Sequence, residues 1–180
     1  MKRIQVIGAP GAGKSTLAKK VSEVTGYKLI DLDMNFHLPG WQMRETEEFR
    51  QIIQSKIAGV DNWILDGDYY SKLGSEILEQ VDTVVWMNTP LLYSQSRLIR
   101  RSLKRIITKE LLWGVNREST KGAYGLFKFA IRKHRELEEQ VQERWINNDK
   151  VKVIELKSKR DAEKYIRQLK DATGSFQLRP

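Results

Sequence analysis

The stretch Gly8-Ala9-Pro10-Gly11-Ala12-Gly13-Lys14-Ser15 decides the architecture of this chain. It follows an apolar run, Ile4-Gln5-Val6-Ile7, and leads into Ser15-Thr16-Leu17-Ala18-Lys19-Lys20-Val21, whose apolar residues have helical spacing. The glycines therefore fall where a buried strand must turn sharply into a helix N-terminus, the context that a G-x-x-x-x-G-K-[ST] phosphate loop requires. Gly8, Gly11 and Gly13 allow backbone conformations closed to residues with a Cβ. Successive N–H groups can then converge on one anion, and the helix adds the positive end of its dipole. Lys14 is placed for the β and γ phosphates of a nucleotide and Ser15 for the magnesium ion that bridges them, while Thr16 offers a further first-turn N–H. A dinucleotide-binding G-x-G-x-x-G would need glycine where Pro10 stands, and would leave the Lys-Ser pair unexplained.

With 180 residues the chain has the size of one domain, expected to span 1–180, and can bury a substantial core without disulfides or a structural metal. The absence of cysteine excludes a disulfide framework and a thiolate zinc site. The apolar runs are short and broken by charge, so no membrane span or signal segment is expected, and a cytoplasmic enzyme is the simplest reading. Nothing in the pattern fixes an oligomeric state. The net charge of +9 is unevenly spread: between Arg97 and Arg135 there are twelve Lys or Arg against only Glu110 and Glu118. The basicity belongs to one element of the fold, which speaks for a local anionic partner.

Along the chain, Lys28–Leu32 reads as a second strand, Pro39-Gly40 as a turn, and Thr46–Ala58 as a helix. Asn62–Leu65 and Thr83–Met87 read as the third and fourth strands with one helix, Ser71–Gln80, between them. Pro90 opens a long basic helix, a second long helix spans Tyr124–Ile146, Val151–Leu156 is a fifth strand, and Lys159–Leu169 the last helix before a frayed end at Thr173–Pro180. Alternating strands and helices call for a parallel sheet covered on both faces, an α/β fold whose ligands bind at the carboxyl ends of the strands. The residues at those ends are the phosphate loop, Asp31 and Asp33, Asp66 and Asp68, Asn88 and Thr89, and Lys157 and Ser158.

Several of these can carry chemistry. Asp66, closing Trp63-Ile64-Leu65-Asp66-Gly67-Asp68, suits a carboxylate that holds magnesium directly or through water; a plain Asp-Gly turn is the alternative, and Asp68 stands evenly between the two. Asp31 and Asp33, two apart at a strand end, are expected on one face, with Asp33 orienting or deprotonating an acceptor hydroxyl; helix capping is the competing role. In Phe36–Arg44, Trp41 can stack on a substrate ring or simply pack over the sheet, and Arg44 can clamp an anionic group. His37 and His134 have no partner pattern. Arg97, Arg100, Arg101, Lys104 and Arg105 follow i, i+3, i+4 spacing and are expected to make one cationic face. A γ-phosphoryl group would compensate that face, with Arg132 and Arg135 reaching in from the next helix; a solvated surface or nucleic-acid phosphates are the alternatives.

The phosphate loop, Leu32-Asp33 with Phe36 and Pro39-Gly40-Trp41, Trp63 to Tyr69, Asp82 to Trp86 and Arg97 to Arg105 together resemble the adenylate-kinase-like P-loop proteins called DNA topology modulation, or FlaR-like, proteins. The resemblance covers nearly the whole chain. It implies a three-layer nucleoside-monophosphate-kinase architecture, with a five-stranded parallel sheet in order 2-3-1-4-5 and a helical lid over roughly 97–135. By position it implies that Gly11, Ala12, Gly13, Lys14, Ser15 and Thr16 bind ATP, that Arg97 and Arg101 are lid arginines, and that Lys157 to Arg160 lie near adenine. The acceptor-helix signature and β-rich lid of adenylate kinases are missing from the chain.

Two functions follow as expectations. The first is a Mg-ATP-dependent kinase that transfers the γ-phosphoryl group to a small-molecule acceptor held near Asp33, Trp41 and Arg44. The second, less favoured, is an ATP-gated protein whose segment from Arg97 to Arg135 contacts nucleic acid.

Overall fold

A short strand that is apolar on both sides must be covered on both sides, and the chain supplies helices for each. The computed structural model describes residues 1–174. It contains β1 (Arg3–Gly8), α1 (Lys14–Thr25), β2 (Lys28–Asp31), α2 (Leu32–Phe36), α3 (Thr46–Ile57), β3 (Trp63–Asp66), α4 (Tyr70–Leu73), α5 (Ser75–Leu78), β4 (Thr83–Met87), α6 (Leu91–Thr108), β5 (Leu111–Leu112), β6 (Asn116–Arg117), α7 (Thr120–Val141), β7 (Lys152–Leu156) and α8 (Lys159–Gly174). The sheet is parallel in the order β2-β3-β1-β4-β7, which is the expected 2-3-1-4-5 with β7 as the fifth strand.

Alternation along β1 sorts the two cores. Ile4 and Val6 pack with Leu17, Ala18 and Val21 of α1 and Tyr165 of α8, whereas Ile7 packs with Phe49, Ile53 and Ile57 of α3 and with Leu137, Val141 and Trp145 from the far end of the chain. Register sets the functional rim. Val6 pairs with Asp66, and Asp31 pairs with Asp66 from the other side, so both carboxylates end their strands level with the phosphate loop.

Four sequence expectations are corrected. The helix expected over Ser71–Gln80 is broken into α4 and α5 by Gly74, whose φ of +79° and extended ψ interrupt the helical path. The second long helix begins at Thr120 rather than Tyr124, because Ser119 caps it by accepting from the Gly122 N–H at 3.1 Å. It ends at Val141 and continues as a π-helical turn, Gln142–Ile146. Between the long helices lies an antiparallel hairpin, β5–β6, turning through Trp113-Gly114. Two-residue strands flanked by charge carry no periodicity to reveal them. The last helix runs past Leu169 to Gly174, and the remainder of the expected frayed end lies outside the described residues.

Candidate active site

The phosphate loop is shaped by conformation and by what presses on it. Gly11 and Gly13 hold φ of +84° and +109°, and Gly13 forms the left-handed cap of α1. A Cβ on Gly11 would stand 2.2 Å from the Ser94 carbonyl oxygen, and one on Gly8 2.7 Å from that of Met87. Glycine is required here because α6 and β4 lie directly against the loop backbone. The loop closes on itself through Ala12 N–H to the Ala9 carbonyl at 3.1 Å, and Lys14 Nζ donates to the same carbonyl at 3.3 Å. Ala12 is buried, while Ser15 and Thr16 stand in the first turn of α1.

Lys14 lies in the field of Asp33, Asp66 and Asp68, with Arg101 nearby. Burial lowers its pKa, and the three carboxylates oppose that by favouring the ammonium. Asp66 is buried, shares a hydrogen bond with the Ser15 hydroxyl, and leaves Oδ1 without a partner. Burial raises its carboxyl to about 6, against the pull of Ser15 and Lys14. An orphaned buried carboxylate oxygen beside a hydroxyl suits a cation. Among the described residues no group of three or more His, Asp or Glu could hold a metal.

The remaining carboxylates part company. Because the chain turns helical at Leu32, the strand argument that put Asp31 and Asp33 on one face fails. Asp31 becomes the N-cap of α2, accepting from the Met34 N–H at 2.9 Å. Burial raises its pKa, and that hydrogen bond works the other way. Asp33 accepts from the Tyr69 hydroxyl at 2.7 Å, with the Tyr69 ring packed against both Phe36 and Phe49, which also touch each other. Burial and the Asp33 charge raise the Tyr69 pKa, so it is a donor throughout the ordinary range. Asp68 is ion-paired to Lys133 of α7 at 2.5 Å.

The expected single cationic face of α6 is divided. Ser94, Leu98 and Ser102 are buried, Arg97 and Arg105 are half-buried, and Arg100, Arg101 and Lys104 are exposed. The Arg97 guanidinium reaches the phosphate loop, where a Cβ on Gly13 would stand 3.0 Å from one of its nitrogens. Arg101 interacts with Asp33 and Glu118 as well as with Arg97 and Arg105. Arg105 lies 3.7 Å from Glu118, which also accepts from the Ser102 hydroxyl.

Other expected residues are brought less close to the phosphate loop. Arg44 donates through Nε to the Asn35 carbonyl and pairs with Glu48. Trp41 donates its backbone N–H to Asn116 Oδ1 and its indole N–H to the Arg117 carbonyl. Lys157 is exposed beside Glu155 at 3.4 Å, in the loop where Ser158 caps α8 by accepting from the Asp161 N–H at 3.1 Å, and its own N–H donates to the Asp161 carboxylate at 3.1 Å. His134, left without a role, meets the Thr89 carbonyl at 3.0 Å and ties α7 to the end of β4. Sequence reasoning missed Tyr69, Lys133, Glu118 and Asn116. Only Tyr69 had a nearby signal, directly after Asp68.

No family model matches the chain. Threonine synthase-like 1 from Macaca fascicularis is 26% identical over 119 residues, 59% of this chain, and the chain spans 16% of that protein. Solved structures resemble it along nearly its whole length. Shikimate kinase from Acinetobacter baumannii in complex with shikimate has a TM-score of 0.53 and 15% identity, covering 99% of this chain and 96% of that one. A gluconokinase from Sinorhizobium meliloti 1021 has a TM-score of 0.52 and 15% identity, covering 99% and 98%. Deoxyadenosine kinase from M. mycoides has a TM-score of 0.51 and 14% identity, covering 96% and 99%. The fold is that of the P-loop kinases.

Proposed function

We propose that this chain is a Mg-ATP-dependent phosphotransferase acting on a hydroxyl of a small-molecule acceptor. One observation carries the reading: the half-buried Lys14 ammonium sits among Asp33, Asp66 and Asp68, with Arg97 against the loop and one Asp66 oxygen unpartnered. The glycine cradle suits the phosphates of ATP, and Asp66 with Ser15 suits Mg2+. When bound, ATP would supply the γ-phosphoryl group and Mg2+ would neutralise its charge. Lys14, the loop N–H groups, Arg97 and Arg101 would hold the phosphates and stabilise charge as it develops. Tyr69 fixes one oxygen of Asp33, leaving the other to accept the proton of the acceptor hydroxyl. The segment from 97 to 135 would act as a lid, and Lys157 would border the adenine.

The motif set around Asp33, Pro39-Gly40-Trp41 and Trp63 to Tyr69 supports placing the chain with the topology modulation proteins, and dependence on ATP suits the cytoplasm. Nucleic acid is the less favoured partner, since Arg105, Arg132 and Lys133 are already paired to Glu118, Glu136 and Asp68. The test is a screen of ATP consumption against sugars, sugar acids, nucleosides and nucleoside monophosphates. Stimulation by one acceptor class, lost in Asp33→Asn, is the expected result. No stimulation by any acceptor, together with tight DNA binding, would overturn it.

A further inference from the structure

The loop after α2 and the hairpin after α6 are far apart in sequence, yet they are fastened together. Asn116 is 2% exposed and uses both ends of its amide: Oδ1 accepts from the Trp41 N–H at 2.9 Å, and Nδ2 donates to the Leu38 carbonyl at 3.0 Å. The Trp41 indole N–H donates to the Arg117 carbonyl at 2.9 Å. Rings reinforce the join. His37 stacks on Trp113 with centroids 5.1 Å apart and planes at 13°, and Trp41 meets Trp113 edge-on at 5.8 Å.

Two features mark this as more than packing. Trp41 and Trp113 both hold positive φ, 61° and 50°, a backbone region unfavourable for bulky residues and kept only where the surroundings impose it. The chain also runs from the join directly into the candidate site on both sides. Leu38 to Trp41 hang from α2, which carries Asp33, while Trp113 to Arg117 hang from α6, which carries Arg97 and Arg101. The path from Asp33 through the loop, across Asn116 and back along α6 to the phosphate loop is closed.

We infer that Asn116 is a positioning residue: with the Trp41–Trp113 pair it clasps the acceptor loop to the lid hairpin and thereby sets Asp33 opposite the lid arginines. Its kinetic meaning rests on the phosphotransferase reading; the clasp itself does not. The first half of α6 is already fixed by Ser94 and Leu98 against Gly11, so the clasp governs the far end of the lid and the acceptor loop. Asparagine suits the position because it donates and accepts at once, which an aspartate cannot do.

The test is amide hydrogen exchange on the full chain with Mg-ATP as the probe, comparing wild type with Asn116→Ala and Trp41→Phe. In Asn116→Ala, exchange at 38–43 and 111–117 rises together by about 10-fold or more, while β1 and β4 stay at wild type. The near-ultraviolet circular dichroism of the tryptophan pair weakens in parallel. Trp41→Phe keeps a ring and loses one hydrogen bond, so both segments loosen by a smaller factor. With an acceptor from the screen, Asn116→Ala raises the acceptor KM by about 10-fold and leaves the ATP KM within about 2-fold. Exchange that rises in only one segment, or in neither, overturns the clasp. Loosened segments with an unchanged acceptor KM overturn the positioning role. If no acceptor is phosphorylated, the exchange result still decides the clasp, so the two proposals fail separately.

Discussion

The two halves of the candidate site are built by different means. The phosphate loop is eight consecutive residues shaped by glycine and pressed into place by β4 and α6, with Asp66 delivered from the neighbouring strand. The acceptor half is assembled from side chains that meet across the chain, Tyr69 with Asp33 over 36 positions and Asn116 with Leu38 over 78. A site made of backbone is fixed once its local conformation forms. A site made of side chains exists only when distant segments close on each other.

Removing one side chain from each half is expected to have the largest effect. Lys14→Ala takes away the charge that faces three carboxylates, and phosphoryl transfer falls by about 10³-fold or more. Asp33→Asn removes the proposed acceptor-side base and is expected to cost about 10²–10⁴-fold. Steady-state turnover checks both, with circular dichroism showing that the fold survives. If Asp33→Asn left turnover intact, the acceptor half would lose its chemistry and only nucleotide binding would remain.

Glycine offers the same contrast at constant chemistry. Gly11→Ala adds a Cβ 2.2 Å from the Ser94 carbonyl in a left-handed conformation, so α6 must move, at a cost of about 3 kcal/mol or more. Gly40, in the acceptor loop, has a φ of +73° and open space around it, so Gly40→Ala costs only about 1 kcal/mol, from backbone preference alone. Urea unfolding of the two variants measures the difference. Equal losses would mean that the loop, too, is crowded.

The same division explains what was legible in the sequence. The strands, the phosphate loop and the carboxylates at strand ends follow from periodicity and from turn chemistry within a few residues, whereas the strand order was implied by the family resemblance and not by any local pattern. Gly74, which splits a helix, and Ser119, which starts one early, also act locally and were there to be read. The hairpin was not. Asn116 has no signal of its own: its role comes from the Trp41 N–H and the Leu38 carbonyl, brought to it by the fold. Glu118 and Lys133 likewise gain meaning only from Ser102, Arg105 and Asp68. The strand argument for Asp31 and Asp33 lapses because the chain turns helical at Leu32 and the period changes from two to 3.6, although the two carboxylates still lie in each other's field.

Asp66 brings a buried side chain into the backbone-made half. Its folded pKa of about 6 lies above the ordinary 3.8. Between those values the folded state keeps a proton that the unfolded chain has released. The Asp66 contribution to stability therefore falls as pH rises from about 4 to about 6, by about 3 kcal/mol in all, and is constant above. Asp66→Asn removes that dependence and is more stable than wild type at pH 7 by about 1–3 kcal/mol, while gaining less from Mg-ATP. Thermal melts against pH, with and without Mg-ATP, check both signs. A wild type whose stability rises through this window would show that Asp66 is not held protonated.

The smallest effect is expected on the outer side of α6. Arg97 is half-buried against the phosphate loop and Arg101, though exposed, lies in the field of Asp33, whereas Arg100 and Lys104 are exposed and belong to neither half. Arg100→Ser with Lys104→Ser should leave phosphoryl transfer within about 2-fold, as surface charges in high dielectric usually do. The double variant also isolates the charge that a nucleic acid would use. If DNA phosphates contacted this face, the slope of log affinity against log salt would shrink by about 0.9 per lost contact. An unchanged slope and unchanged turnover would make the outer face a solvated surface, and would leave Arg97 and Arg101 as the part of the basic segment that serves the site.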